Sequence, residues 1–273
     1  MKILMFLLLP LLASAQPLTE SLNAYLQKLP PTVRVSLAVE SLSDSTVGYF
    51  HQADEAVPSA SVIKIPILIE AMEWVKAGRI NPDENHILLD SEKTGGSGIL
   101  ATYPHRTRVS YRDVMTLMMT HSDNTATNLL IAEIGMEAVN ARMRQLGLTQ
   151  SRLNRVMMDT LAARQGRENR VSCREMNLLL KKIYRRQVAT PALCDEMLDI
   201  LKRNEDTLTI RRFLPRSTVI AHKTGGLAYV RGDAGIVFAP RPFLFTAFVQ
   251  GTNTGDAERI IGELAALCFK QFQ

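Results

Sequence analysis

The chain has 273 residues, with 32 Lys and Arg against 27 Asp and Glu, a formal charge of +5 at pH 7 and 46% apolar residues. That length suits one large domain or two lobes with a common core, and so mild and dispersed a charge lends nucleic-acid binding no support. Cys173, Cys194 and Cys268 stand far apart with no Cys-x-x-Cys pair, which argues against a metal knuckle or a dense disulfide framework and leaves three buried thiols as the expectation.

Residues 1–15 read as a secretory signal peptide. Lys2 precedes an apolar run from Ile3 to Leu12, Ala13-Ser14-Ala15 supplies a small-x-small cleavage pattern, and the mature chain is expected to begin at Gln16. The run is too short to span a bilayer, and no later segment offers the roughly 18 apolar residues that a span needs. The expected product is exported, periplasmic or secreted, free of the membrane after cleavage and monomeric.

Leu18, Leu22, Tyr25, Leu26 and Leu29 then fall at helical spacing, with Pro30-Pro31 ending the helix. Val33, Val35, Leu37 and Val39 alternate with Arg34 and Ser36, the pattern of a half-buried strand, and Val47 to His51 should pair with it. Val62 to Val75 is apolar nearly all round and predicts a helix through the centre of its lobe, with Pro66 close enough to the start to be tolerated. Ser110-x-x-Asp113 resembles a capping box opening a helix, His121 to Asn124 interrupts, and Thr125 to Ile134 resumes, so Ser122 should lie in a turn between helices. A second box, Ser172-x-x-Glu175, opens a helix with Met176, Leu179, Leu180 and Ile183 on one face.

The β pattern returns in Thr218 to His222, Ala234 to Phe238 and Leu244 to Gln250, with turns expected at Gly225-Gly226 and Ala239 to Pro242 and a closing helix from Asp256 to Phe272. The fold is therefore split in sequence. An α/β lobe from about 17–55 and 206–273 is expected to receive an inserted all-α lobe, about 56–205, the whole of 16–273 forming one catalytic domain.

Three polar clusters occur in order: Ser61-Val62-Ile63-Lys64, Ser122-Asp123-Asn124 and Lys223-Thr224-Gly225-Gly226. Ser-x-x-Lys alone is expected by chance roughly once in a chain of this length, but the ordered set is expected in well under about one per cent of chains. The chemistry they suggest is acyl transfer. A serine hydroxyl needs a neighbouring base, and a lysine three residues later on a helix shares its face. A second Lys-Thr-Gly-Gly, at Lys93 to Gly96, sits in a polar run with no strand before it and reads as a glycine turn, whereas Lys223 follows the strand-like Val219-Ile220-Ala221.

These clusters, with Ser122-Asp123-Asn124-Thr125-Ala126-Thr127-Asn128, resemble the class A β-lactamases and related serine hydrolases over about Ser59 to Gly235. The resemblance implies an α/β lobe of five antiparallel strands with flanking helices beside an all-α lobe. It implies Ser61 as the nucleophile, Lys64 as its base, Ser122 as the proton donor to the leaving nitrogen and Asn124 as the holder of the substrate's side-chain amide. Lys223 and Thr224 would engage the substrate carboxylate, and the N–H groups of Ser61 and Gly226 would form an oxyanion hole, with Gly225 and Gly226 allowing close approach. The implied substrate is a small-molecule β-lactam or a peptidoglycan-like donor, with no cofactor.

One departure stands out. Where the family has Arg-x-Glu-x-x-Leu-Asn, whose glutamate activates the deacylating water, this chain has Arg155-Val156-Met157-Met158-Asp159-Thr160-Leu161. A thioether cannot take a proton from water. Asp159 is the preferred replacement and Glu168 the second, against the plainer readings of a capping carboxylate and a solvated loop residue. The alternatives are thus a β-lactam hydrolase with an altered loop, a D-alanyl-D-alanine carboxypeptidase or esterase, and a penicillin-binding sensor without turnover. His51, His86, His105, His121 and His222 lack metal-ligand spacing, and no Gly-x-Ser-x-Gly is present. His121 and His222 are expected in turns or at the surface, Arg231 as a solvated strand-end residue, and Arg155 as a structural anchor of its loop.

Overall fold

The computed structural model describes residues 16–273, so the expected signal peptide lies outside the described residues. In chain order the elements are α1 (Gln16–Leu26), β1 (Arg34–Ser41), β2 (Gly48–His51), β3 (Val57–Pro58), a 3₁₀ turn (Ala60–Ile63), α2 (Lys64–Lys76), β4 (Asn85–Ile87), β5 (Arg108–Ser110), α3 (Tyr111–Thr120), α4 (Asn124–Ile134) and α5 (Met136–Gln145). There follow α6 (Thr160–Arg164), β6 (Arg170–Val171), α7 (Cys173–Tyr184), α8 (Pro191–Lys202), β7 (Val219–Leu227), β8 (Val230–Phe238), β9 (Phe243–Gln250) and α9 (Thr254–Phe272).

Five strands form one antiparallel sheet in the order β2-β1-β9-β8-β7, and β3 with β6 and β4 with β5 make two small pairs. The sheet is covered on both faces. Val35, Leu37 and Val39 of β1 pack with Phe243, Phe245 and residues of α1 and α9, while Ala38, Ala221, Ile236 and Phe248 face the helices led by α2 and α7. Strand β1 is accordingly not half-buried: Ser36 is buried along with its apolar neighbours, because α7 closes the face that alternation left polar.

Two further expectations change. Gly225 and Gly226 do not turn the chain; they lie inside β7, paired with Gly232 and Arg231, and the reversal follows at Ala228-Tyr229. The Ser61–Lys64 segment is not one continuous α-helix either, since the 3₁₀ turn carries Ser61 and α2 begins at Lys64, with Pro66 in its first turn where a missing N–H costs nothing. The capping signals act locally as read: Ser110 Oγ accepts from Asp113 N–H, and Ser172 Oγ from Glu175 N–H. All three cysteines are buried free thiols. Among the described residues no helix is long and apolar enough to cross a membrane.

Candidate active site

Ser61 sits in the 3₁₀ turn, held by the fully buried Val62 and Ile63 and preceded by Ala60 in the left-handed region at φ 44°. Because the first nine residues of α2 are buried on all sides, its first residue, Lys64, is drawn inside with no exposed surface. Its ammonium donates to Ser122 O at 2.6 Å, Ser122 Oγ at 3.1 Å and Asn124 Oδ1 at 3.1 Å. Burial pushes Lys64 well below the usual lysine range, the Lys223 charge adds to this, and Asp123 opposes it.

Ser122 has φ 52°, a strained value for a non-glycine residue, and lies between α3 and α4. Asp123 fixes it there. One carboxylate oxygen caps α4 by accepting from Ala126 N–H at 2.9 Å, and the other accepts from Ile99 and Leu100 N–H at 2.6 and 2.7 Å. Asn124 Nδ2 donates to Gly95 O at 3.0 Å, and Asn124 N–H donates to Ser97 O at 3.0 Å.

The earlier Lys93 to Gly96 run is a glycine turn, with Gly96 at φ 86°, but it also forms a wall of the cleft through Gly96 and Ser97. A Cβ on Gly96 would lie 2.8 Å from Asn124 Nδ2 and 3.0 Å from Met158 Sδ. Reading the two motif copies as rivals missed this contribution. Long-range bonds bring the first copy here, from Thr94 to Thr125 and Asn128 and from Asn124 to Gly95 and Ser97, and nothing in the local sequence signals them.

The third cluster lies on β7, the sheet edge, whose backbone passes directly beside the serine turn. A Cβ on Gly225 would stand 2.8 Å from Ser61 N and 3.0 Å from Ser59 O, so only glycine permits this approach. Lys223 has no exposed surface, and its Nζ donates to Thr224 O at 2.7 Å. Burial lowers Lys223 to about 8 against the opposing pull of Asp233 and Asp206, and Arg231 adds to the lowering. Arg231 is not a solvated strand end: it pairs with Asp206 at 2.5 Å and Glu258 at 3.2 Å, beside Gly226. His222 is fully buried against Asp233 at 3.0 Å, while His121 is half-buried and bonded to Thr120 Oγ1.

The loop from 154 to 169 closes the remaining side. Asn128 brackets Met157, accepting its N–H at 2.8 Å and donating to its carbonyl at 3.2 Å, so the thioether lines the cleft with only 8% of the residue exposed. Asp159 turns away. Its carboxylate caps α6 by accepting from Ala162 N–H at 2.9 Å, and it is not among the lining residues. Glu168 does line the cleft, but it is buried and held: Arg155 Nη2 lies at 2.8 Å, Asn169 N–H donates at 2.8 Å and Tyr229 Oη donates at 3.2 Å.

The resulting cleft of about 430 Å³ brings Ser61, Asn124, Met157, Glu168 and Gly226 onto one lining, with Lys64 and Ser122 bonded behind Asn124. The sequence profile of the β-lactamase enzyme family matches residues 17–272. The chain belongs to that family. A β-lactamase of Streptomyces fradiae is 28% identical over 249 residues, covering 85% of this chain and 79% of its own. The solved structure of PBP-A superposes with a TM-score of 0.84 at 26% identity, covering 96% of each chain. A point mutant of PBP-A, solved as an acyl-enzyme complex with penicillin G, superposes with a TM-score of 0.83 at 26% identity over 94% of this chain and 95% of its own. The family assignment agrees with the arrangement of serine, buried lysine and glycine-bearing edge strand.

Proposed function

We propose that this protein is a serine hydrolase that opens the amide of penicillin- and cephalosporin-type β-lactams through a Ser61 acyl-enzyme, and that release of the acyl group is its slow step. The observation that carries the reading is the Lys64 ammonium bridging Ser122 and Asn124 behind a cleft that Ser61 lines, beside the glycine backbone of β7.

In this reading neutral Lys64 takes the Ser61 proton as the serine oxygen bonds to the lactam carbonyl carbon. The depressed lysine pKa makes the neutral form available. The 3.1 Å contact to Ser122 Oγ then gives a return route: Ser122 protonates the ring nitrogen as the C–N bond breaks, and Lys64 restores the Ser122 proton. The N–H groups of Ser61 and Gly226 stabilise the oxyanion, a contribution of about 2.7–4 kcal/mol per donor in comparable sites. Lys223 and Thr224 hold the substrate carboxylate and Asn124 its side-chain amide.

Slow release is supported by what the loop's carboxylates already do. Asp159 is spent on a helix cap and Glu168 on Arg155, Asn169 and Tyr229, while Met157 offers the cleft no base. Retention of the acyl group is also how penicillin-binding enzymes behave toward β-lactams, so the second reading is a D-alanyl-D-alanine carboxypeptidase or esterase with weak β-lactam turnover; Met157 favours it. Export directed by residues 1–15 and a monomeric state complete the proposal.

Intact-protein mass spectrometry tests it. Benzylpenicillin should add its mass to the protein and Ser61→Ala should not be labelled; labelling that persists removes the central claim. Met157→Glu places a carboxylate where Asn128 fixes the backbone, and should speed release of the penicilloyl group by about 10²-fold, the lower range for a general base. A D-Ala-D-Ala peptide and an ester, assayed beside it, separate the second reading.

A further inference from the structure

Three charged side chains reach the cleft lining: Arg155, Arg164 and Glu168. Arg155 and Glu168 neutralise one another at 2.8 Å. Arg164, exposed on the last turn of α6, has no carboxylate partner among the described residues. The carboxylates of its own segment are committed elsewhere, Glu168 to Arg155 and Asp159 to the N–H of Ala162. A five-residue helix has little dipole for its terminal arginine to complement, so the helix alone does not account for a cation at this place.

The surroundings strengthen the field. Between residues 152 and 170 the chain carries five arginines and two carboxylates, a formal +3 on the segment that supplies this wall, of which Arg155, Arg164 and Glu168 reach the lining. Lys223 is the cation of the sheet side, where the proposed reaction binds the ring carboxylate. Arg164 stands on the loop wall with Met157 and Met158, next to Asn124, where the acyl side chain would extend. A substrate carrying a second negative charge at the far end of that side chain meets a cation there.

We propose that Arg164 is a specificity-determining residue that selects acyl donors whose side chain ends in a carboxylate. The inference rests on the acyl-enzyme reading above. The same chemistry occurs in β-lactams with dicarboxylic side chains and in carboxylate-bearing cell-wall peptides, which the two arms of the test distinguish. An exposed ion pair changes a rate constant by no more than about fivefold, and added salt weakens it.

The test compares the second-order rate of Ser61 acylation by a penicillin with an adipoyl side chain and by its heptanoyl counterpart, in which an ethyl group replaces the terminal carboxylate. At about 0.02 M salt the adipoyl compound should react about fivefold faster, the ratio should fall toward one at about 0.5 M salt, and Arg164→Gln should abolish it. Arg164→Lys should keep most of the preference, and so should Arg167→Gln, which alters an exposed cation off the lining. In the second arm, D-Ala-D-Ala peptides with and without a carboxylate at the same distance should show the same Arg164-dependent ratio if cell-wall peptide is a substrate; a ratio confined to the penicillins assigns the site to β-lactams. Equal acylation of the two penicillins by the unaltered protein, or a preference that survives Arg164→Gln, overturns the inference alone. Failure of both penicillins to label Ser61 overturns the acyl-enzyme reading and the inference with it.

Discussion

Two lysines without exposed surface act on one another at this site, and burial depresses both, yet the proposed reaction asks opposite things of them. Lys64 must be neutral to accept the Ser61 proton, so its depression helps. Lys223 must be charged to hold a substrate carboxylate, and its pKa of about 8 sets the limit. The sign follows: as pH rises through about 8 the Lys223 cation is lost, and acylation efficiency should fall about tenfold per unit well above that value. Stopped-flow acylation from about pH 6 to about pH 10 should show this limb, and Lys223→Arg, which stays charged, should move it upward. An alkaline limb unmoved by Lys223→Arg would assign it to another group. At this scale the sequence was most informative where chemistry fixes residue type and order: Ser61, Lys64, Ser122 and Lys223 were singled out by the demands of the proposed acyl transfer, and Lys64 bonds Ser122 while the strand of Lys223 passes beside the Ser61 turn. The sequence preferred Asp159 to Glu168 without showing what either holds, since both are acidic residues of one loop and only the N–H groups and guanidinium around them distinguish a cap from an anchor.

Elements were legible where a periodic pattern met a capping residue, as at Ser110 and Ser172, and less so where tertiary contact overrode local signals. Gly225-Gly226 looks like a turn in isolation; it continues a strand because β8 pairs with it on one side and the serine turn demands a bare backbone on the other. Glu175 makes the same point. Read as part of a capping box, its side chain instead reaches across to the turn after α5, accepting from the N–H groups of Thr149, Gln150 and Ser151 at 2.6, 2.8 and 2.7 Å and from Ser151 Oγ at 2.6 Å. One buried carboxylate thus fastens α7 to the segment that leads into the 154–169 loop. Glu175→Gln keeps one acceptor oxygen and replaces the other by an NH2 group that cannot accept, leaving either the Thr149 and Gln150 N–H groups or the buried Ser151 N–H unpaired. It should cost about 2–3 kcal/mol, measured as a lowered urea midpoint with unchanged slope. A loss below the noise of that measurement would mean that water readily substitutes for the carboxylate.

The whole molecule is tied together through the serine turn. One apolar cluster runs from the sheet residues Ala38, Ala221, Ile236 and Phe248 through Val62 and Ile63 into α2, α3, α4, α7 and α8. A second fills the opposite sheet face beneath α1 and α9. The first cluster is made of both sequence-separated parts of the chain, so neither the inserted helices nor the sheet can come apart without exposing the apolar surface of the other. Such sharing predicts one cooperative unfolding transition despite the length. The chain reports on this itself. Trp74 is the only tryptophan, lies on α2, donates to Glu70 at 2.9 Å and has the Arg79 guanidinium 4.3 Å above its ring, so its fluorescence follows the helical part, whereas far-UV circular dichroism follows every element. The two urea curves should coincide in midpoint and slope. A fluorescence midpoint displaced from the dichroism midpoint would show the helical part and the sheet to unfold separately, with the Ser61 turn as the seam between them.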